Sequence, residues 1–293
     1  MSLYLENPLC KFTPLFKINY KNKINILSSS FFKMRGKGYK DFSIYLNGIE
    51  HITNFIDKEL PNFKLRLFID NTIYEDKKIL KKLKYNKTIQ LVLYDCPSFK
   101  RNKTHRGLFG TIIRFFPMFN FNNNDTKMVL ICDVDIANYK HIKTLLHTSL
   151  SIYKNKLYNK KDILFVDGKL IHYPTSKNIF YDGKHVIPYI LASKIFALNK
   201  LPKSIILQFL IKLKSFDANY KKLNKLNNSE IKHLYKTLYV FDKNPVDNIK
   251  QLIIKSDNNK FIYGFDEYFL NIDNLNYIIN MKLPFCVKIK YTI

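Results

Sequence analysis

Two aspartates one residue apart, Asp133 and Asp135, stand at the end of the apolar run "KMVLIC" (127–132). Carboxylates at i and i+2 on an extended segment or tight turn can both reach one hard divalent cation. Mg²⁺ and Mn²⁺ prefer oxygen ligands and commonly take one or two carboxylates together with substrate phosphates. An ion held there would act as a Lewis acid and neutralise a departing diphosphate. The plainer reading is a strand end carrying two solvated acids, and the residues alone leave both readings open.

Other chemistries built on the same pair leave different marks. Phosphatases of the haloacid-dehalogenase type use DxDx[TV] near the start of the chain, whereas here Ile136 and Ala137 follow and the pair lies mid-chain. Polymerase-β-like nucleotidyltransferases need a Gly-Ser element shortly upstream, and "NFNNNDTK" (120–127) has none. A primase-like nucleic-acid enzyme would also use two aspartates and would suit a basic chain. A transferase holding a nucleotide-diphosphate sugar through a metal is the remaining candidate.

The pair needs a scaffold, and the first half of the chain alternates strand and helix patterns. "KINILSSSFF" (23–32), "FKLRLFID" (63–70) and "KTIQLVLYD" (87–95) read as strands, the last two ending on Asp70 and Asp95. "DFSIYLNGIEHITNFIDKEL" (41–60) has apolar residues at helical spacing and is stopped by Pro61, and "EDKKILKKLK" (75–84) reads as a short helix. "HRGLFGTIIRFFPMF" (105–119) reads as helix up to Pro117. Strands separated by helices predict βαβ units and a mostly parallel sheet, whose ligands gather beyond the carboxyl ends of the strands. Ser28–Ser30, Asp70, Asp95 and Asp133/Asp135 are predicted to stand at such ends. Further on, "KDILFVDGKLIHYP" (161–174) reads as a strand or hairpin turning at Asp167-Gly168. Residues 184–200 read as a packed helix interrupted by Pro188, and 201–255 as mostly helical. No repeat and no linker is visible, so 293 residues are read as one domain, with a nucleotide-binding half near 20–140 and an acceptor-side, more helical half near 141–293.

Composition bounds the setting. With 46% apolar and 15% aromatic residues the chain has material for a core, and a globule of this size buries about three quarters of its unfolded surface. The net charge of +26 invites a polyanionic partner. However, only Arg35, Arg66, Arg101, Arg106 and Arg114 are arginine, and the lysines are spread along the whole chain. That is the usage of an AT-rich genome with a solvated basic surface, which weighs against nucleic acid as a partner. Cys10, Cys96, Cys132 and Cys286 form no CxxC pair and predict neither a zinc site nor a disulfide framework, Cys132 being read as a buried thiol. "MSLYLENPLCKF" (1–12) lacks the features of a signal peptide, and no apolar stretch reaches the ~20 residues of a membrane span. These features predict a reducing, cytoplasmic setting, in a bacterium or in the host cell or virion of a large DNA virus.

The segment "HRGLFGTIIRFFPMFNFNNNDTKMVLICDVDI" (105–136) resembles the approach to the DxD of GT-A glycosyltransferases. It is most similar to those related to the family-8 galactosyl- and glucosyltransferases, and to bacterial and giant-virus proteins with a "GxxxRFLP…RDLDS"-like pattern. The residues that carry the likeness are Gly110, Arg114, Phe115, Pro117, Asp133 and Asp135. "HVIPYILASKIF" (185–196) looks like the "HxxPILAGxxG" segment of the bacterial relatives, with Ser193 where Gly is usual. "YGFDEYFLN" (263–271) is similar to their "DQxxLN" element, with Glu267 where Gln is usual. The HxxGxxKPW element that closes the family-8 site is absent.

The resemblance implies an α/β GT-A (Rossmann-like) fold, a mixed, mostly parallel central sheet flanked by helices, with a more helical C-terminal part. It implies a hexosyltransferase-like enzyme that uses Mn²⁺ or Mg²⁺ held by Asp133 and Asp135. The donor would be a UDP- or GDP-sugar and the acceptor a glycan, a protein or a small molecule. Ser28, Ser29, Ser30 and Phe31 would hold the nucleotide, with Asp70, whose plainer role is to cap the next turn. Arg106, Gly110, Arg114, Asp133, Val134 and His185 would contact the donor. Asp266 or Glu267 would take the proton from the acceptor hydroxyl if the reaction inverts. The alternatives are a DxD-dependent nucleic-acid enzyme and an inactive glycosyltransferase fold serving as a structural protein.

Overall fold

The computed structural model describes residues 2–5, 7–18, 22–33, 41–101, 103–105, 109–157, 163–164, 168–169, 189–190, 195–198, 201–218, 266, 269–270, 285–286 and 289–290. An edge strand, β1 (Lys11–Pro14), is followed by β2 (Ile24–Phe31), which is buried over its last six residues. Helix α1 (Phe42–Glu59) starts where the Asp41 carboxylate accepts the Ser43 amide at 2.7 Å, and Ile49, Ile52, Phe55 and Ile56 form its buried stripe. β3 (Phe63–Ile69), α2 (Asn71–Tyr74), α3 (Lys77–Tyr85) and β4 (Ile89–Asp95) come next, with Asp70 capping α2 and Asp76 capping α3. β5 (Lys100–Arg101) and β6 (Thr104–His105) pair as a small hairpin, α4 (Gly110–Ile113) is a single turn, and β7 (Thr126–Ile131) carries the chain to Asp133. α5 (Tyr139–Leu145), capped by Asn138, and α6 (His147–Lys154) follow. The rest of the described chain comprises β8 (Ile163–Leu164), β9 (Gly168–Lys169), β10 (Tyr189–Ile190), β11 (Ile195–Leu198), α7 (Lys203–Ala218), β12 (Phe285–Cys286) and β13 (Ile289–Lys290).

The main sheet has the order β1-β4-β3-β2-β7-β11. Its four central strands run parallel, and the edges β1 and β11 are antiparallel to their neighbours. This is the expected mixed, mostly parallel sheet flanked by helices. From β2 the chain adds β3 and β4 on one side and β7 on the other, so the strand order reverses between β2 and β7. A crevice opens beyond the carboxyl ends at such a reversal, and there Ser28 pairs in register with Ile131, two residues before Asp133.

Both faces of the sheet are covered, which is why its central strands are apolar almost throughout. On one face Leu27, Leu67 and Leu130 join Ile52 and Phe55 of α1 in the core. The other carries an aromatic layer in which Phe12 meets Phe116 at 4.5 Å and Tyr4 at 5.1 Å between ring centroids. Within that layer lies a buried ion pair: Arg66 donates to both oxygens of Asp125, at 2.5 and 2.9 Å, and to Gln90 at 2.7 Å. The extra bonds satisfy charges that burial would otherwise destabilise by several kcal/mol.

Several expectations are corrected. Residues 105–119 are not one helix. Where described they comprise β6, the single turn α4 that begins at Gly110, and a 3₁₀ turn at Phe116–Met118 that contains Pro117. Residues 184–200 are not helical where described. They form β10 and β11, and "IFAL" is buried at all four positions against β7. A short apolar run fits a buried strand as well as a helix, and the open side of β7 decided it. Of 161–174, read as a strand or hairpin, the described residues 163–164 and 168–169 are strands, but β8 pairs with β12, and β9 with β10 and β13, rather than with each other. Of 201–255, the helix Lys203–Ala218 is present and residues 219–255 lie outside the described residues. Ser28–Ser30 do fall at the carboxyl end of β2, but their side chains are buried rather than open to a ligand.

The cysteine reading is also corrected: Cys10 and Cys96 are joined by a disulfide across 86 residues of sequence. Antiparallel pairing of β1 on β4 brings them together, with Lys11 opposite Asp95, and no spacing rule could show this. The expectation of a reducing compartment loses the support of the cysteine count. Cys132 is a free, buried thiol as expected. Among the described residues no helix is long and apolar enough to cross a membrane.

Candidate functional site

The segment after β7 is fixed from beneath. Val134 is buried in the core, which leaves the flanking carboxylates of Asp133 and Asp135 at a half-exposed rim. Gly48 of α1 lies directly against it: a Cβ there would sit 1.8 Å from the Val134 carbonyl oxygen and 2.8 Å from the Ile136 nitrogen. Only a residue without a side chain lets helix backbone meet loop backbone this closely. The sequence held a signal for it, since a glycine on the apolar face of a helix costs about 1 kcal/mol relative to alanine and so implies close packing.

Arg114 organises the carboxylates. It follows α4, and its peptide carbonyl accepts the Ser28 hydroxyl of β2 at 2.7 Å, which ties the turn to the sheet. The side chain is almost fully buried. One terminal nitrogen donates to Asp133 and, at 3.4 Å, to the carbonyl of Cys132; the other donates to Asp266 at 2.7 Å. Asp133 remains 44% exposed on its side chain, while Asp266 is largely buried. Phe269, three residues on, packs against Phe209 at 4.9 Å and Phe115 at 5.8 Å, so the region of Asp266 is anchored beside the site by apolar contact too.

Beneath the pair, Ser29 donates to the Cys132 carbonyl at 2.7 Å and its oxygen lies 3.3 Å from the Cys132 sulfur. Burial pushes the Cys132 thiol up to about 12, with the Asp133 carboxylate also raising it. It stays protonated at neutral pH and is no nucleophile.

A second polar cluster stands at the ends of β3 and β4. One Asp70 oxygen accepts the Thr72 amide at 3.0 Å and the Thr72 hydroxyl; the other lies 3.3 Å from His105 Nδ1. His105 Nε2 accepts the Cys96 amide at 3.0 Å, so the ring proton is on Nδ1 and is donated to Asp70. The Thr72 hydroxyl accepts the Lys33 amide at 2.9 Å, which connects the cluster to the exit of β2. Burial, and secondarily the Asp70 charge, holds the Tyr94 phenol well above its ordinary range. A Cβ on Gly110 would sit 2.4 Å from Phe32 and 2.6 Å from the Tyr94 hydroxyl, so this glycine serves close packing at the same corner.

The structure thus brings Arg114, Asp133 and Asp266 into one cluster with Asp135 beside it, and Ser28 and Ser29 directly below. Ser30 and Phe31 are buried in β2, with Phe31 stacked on Phe42 at 5.1 Å. Asp70 belongs to the separate cluster, where the capping role anticipated for it is filled. Arg106, His185 and Glu267 lie outside the described residues. Sequence reasoning missed Gly48, His105 and Tyr94.

Whether these residues suit a divalent cation follows from their chemistry. Among the described residues no three His, Cys, Asp or Glu side chains converge as a complete metal shell. Two carboxylates on an open rim suit an ion such as Mg²⁺ or Mn²⁺, which keeps waters and takes its remaining ligands from substrate phosphates. The donor set fits on those terms.

No family model matches the sequence, and no curated protein matches it. Among solved structures the chain is similar to S. aureus TarS 1–349, with 13% identity and a TM-score of 0.29, over 60% of this chain and 47% of that one. The chain therefore spans about half the length of that structure, and a likeness at this level carries no argument about what the protein does.

Proposed function

We propose that the protein is a metal-dependent glycosyltransferase that moves a sugar from a UDP- or GDP-sugar to a glycan, protein or small-molecule acceptor. The observation that carries this reading is the position of Asp133 and Asp135: immediately beyond β7, at the reversal of strand order, on a half-exposed rim. That is where a doubly wound sheet receives a ligand. Mn²⁺ or Mg²⁺ held by the two carboxylates would neutralise the leaving diphosphate.

The chain's own residues divide the remaining work. Val134 and Gly48 hold the segment against the core so that both carboxylates keep their direction. Ser30, Phe31 and the Asp70 cluster shape the nucleotide side of the crevice, with Ser28 and Ser29 securing the backbone around it. Arg106, Gly110 and His185 complete the donor side in this reading. Asp266 or Glu267 takes the acceptor proton if the reaction inverts.

A thermal-shift screen of UDP-, GDP-, ADP- and CMP-sugars, each with and without Mn²⁺, tests the proposal. Stabilisation by a sugar nucleotide that requires the metal supports it. Silence to the panel with salt-sensitive binding of single-stranded DNA would replace it with a nucleic-acid enzyme. Silence to both would leave a fold kept for its shape.

A further inference from the structure

We infer that Arg114 is a positioning residue that sets the charge and direction of the strand-end carboxylates, rather than a ligand for the donor. This inference deepens the proposed function and rests on it for the metal. Three observations carry it. Arg114 is nearly inaccessible, at 2% exposure, so its guanidinium is held among protein groups. Its two terminal nitrogens go to carboxylates 133 residues apart in sequence, Asp133 through one and Asp266 at 2.7 Å through the other. Its peptide carbonyl is held by Ser28 at 2.7 Å, so the turn carrying the side chain is fixed to the central strand. A planar fork bound at both ends in this way has a set direction, which a lysine could not reproduce.

The sharing of Asp133 gives the arrangement a consequence. Arg114 pairs with both Asp133 and Asp266, and Asp135 stands one residue beyond Val134 on the same rim. Because Arg114 shares the Asp133 carboxylate, it competes with any cation arriving there. Removing it therefore has two effects of opposite sign. The fold loses the tie between Asp133 and Asp266, and the rim becomes more attractive to a cation. A donor ligand would behave otherwise: its loss would weaken binding of the sugar nucleotide and leave binding of the metal alone unchanged.

The test compares the full-length wild type with Arg114→Met, Asp266→Asn and the double variant Arg114→Met/Asp266→Asn. Free Mn²⁺ is titrated by electron paramagnetic resonance without nucleotide, and unfolding temperature is read alongside. Arg114→Met is expected to bind Mn²⁺ about tenfold more tightly, the effect of one unit charge on a divalent ion several Å away under water-like screening. It is also expected to melt at lower temperature. The double variant, which loses one positive and one negative charge and so restores the net charge of the wild type, is expected to return the affinity to near wild type and to recover part of the lost melting temperature. Unchanged or weaker Mn²⁺ binding by Arg114→Met would overturn the inference. If the wild type binds no Mn²⁺, the metal reading fails by itself and the melting data decide the clamp: equal losses in the single Arg114→Met and the double variant would overturn it.

Discussion

Replacing Gly48 by alanine should separate the role of α1 as a helix from its role as the support of the Asp133–Asp135 segment. In an ordinary helix interior this change stabilises by about 1 kcal/mol. Here the added methyl carbon would lie 1.8 Å from the Val134 carbonyl oxygen and 2.8 Å from the Ile136 nitrogen. Both are backbone atoms, so no rotamer change relieves the overlap, and helix or loop must move by more than about 1 Å to reach ordinary contact. Overpacking of this kind costs about 3 kcal/mol at the upper end of its usual range, for a net loss of about 2 kcal/mol. In a chain of this length that lowers the melting temperature by roughly 3 °C. The neighbouring Asn47, exposed on the same helix, supplies the control: Asn47→Ala should be neutral or stabilising, by at most about 0.7 kcal/mol. Mn²⁺ affinity should fall in Gly48→Ala and hold in Asn47→Ala, because only the first displaces the carboxylates. Calorimetric unfolding with Mn²⁺ titration reads both quantities. A Gly48→Ala protein as stable as wild type, with unchanged Mn²⁺ binding, would refute the close approach of α1 to this segment.

Two further outcomes concern the scaffold. Cys10→Ser should destabilise by about 4 kcal/mol, from the entropy the cross-link removes from a long unfolded loop, and peptide mapping of the oxidised wild type should recover a fragment linking Cys10 to Cys96. Glu59 is held at about 2 by hydrogen bonds from Lys154, Lys143 and Tyr139, in that order, below its ordinary 4.5. Since its folded pKa is depressed, its contribution is complete above about pH 4.5 and is lost as the pH falls towards 2. The stability difference between wild type and Glu59→Gln, followed by urea unfolding, should therefore close across that window.

Much of the scaffold was legible because its signals are local. The apolar stripe and Pro61 mark α1 to within a residue at each end, and β3, β4 and β7 emerge as apolar runs bounded by polar residues. What escaped depends on contacts between distant segments. "IFAL" became a strand because β7 offered an unpaired edge. Cys10 met Cys96 only because β1 doubled back onto β4. In the candidate site the carboxylate pair and Arg114 could be singled out from residue types, but not the bonds from Arg114 to Asp133 and Asp266. The serines of β2 illustrate the limit most clearly. In sequence they look like a polar strand end, whereas in the fold Ser28 and Ser29 are buried and donate to backbone carbonyls.

The central claim, that the rim beyond β7 binds a sugar nucleotide through a divalent cation, is tested most directly by titrating Mn²⁺ with UDP- or GDP-sugar into the wild type and into Asp135→Ala. The account predicts metal-dependent binding by the wild type and none by the variant, with melting temperatures within about 2 °C because Asp135 is a half-exposed rim residue. Equal binding by the two proteins would contradict it.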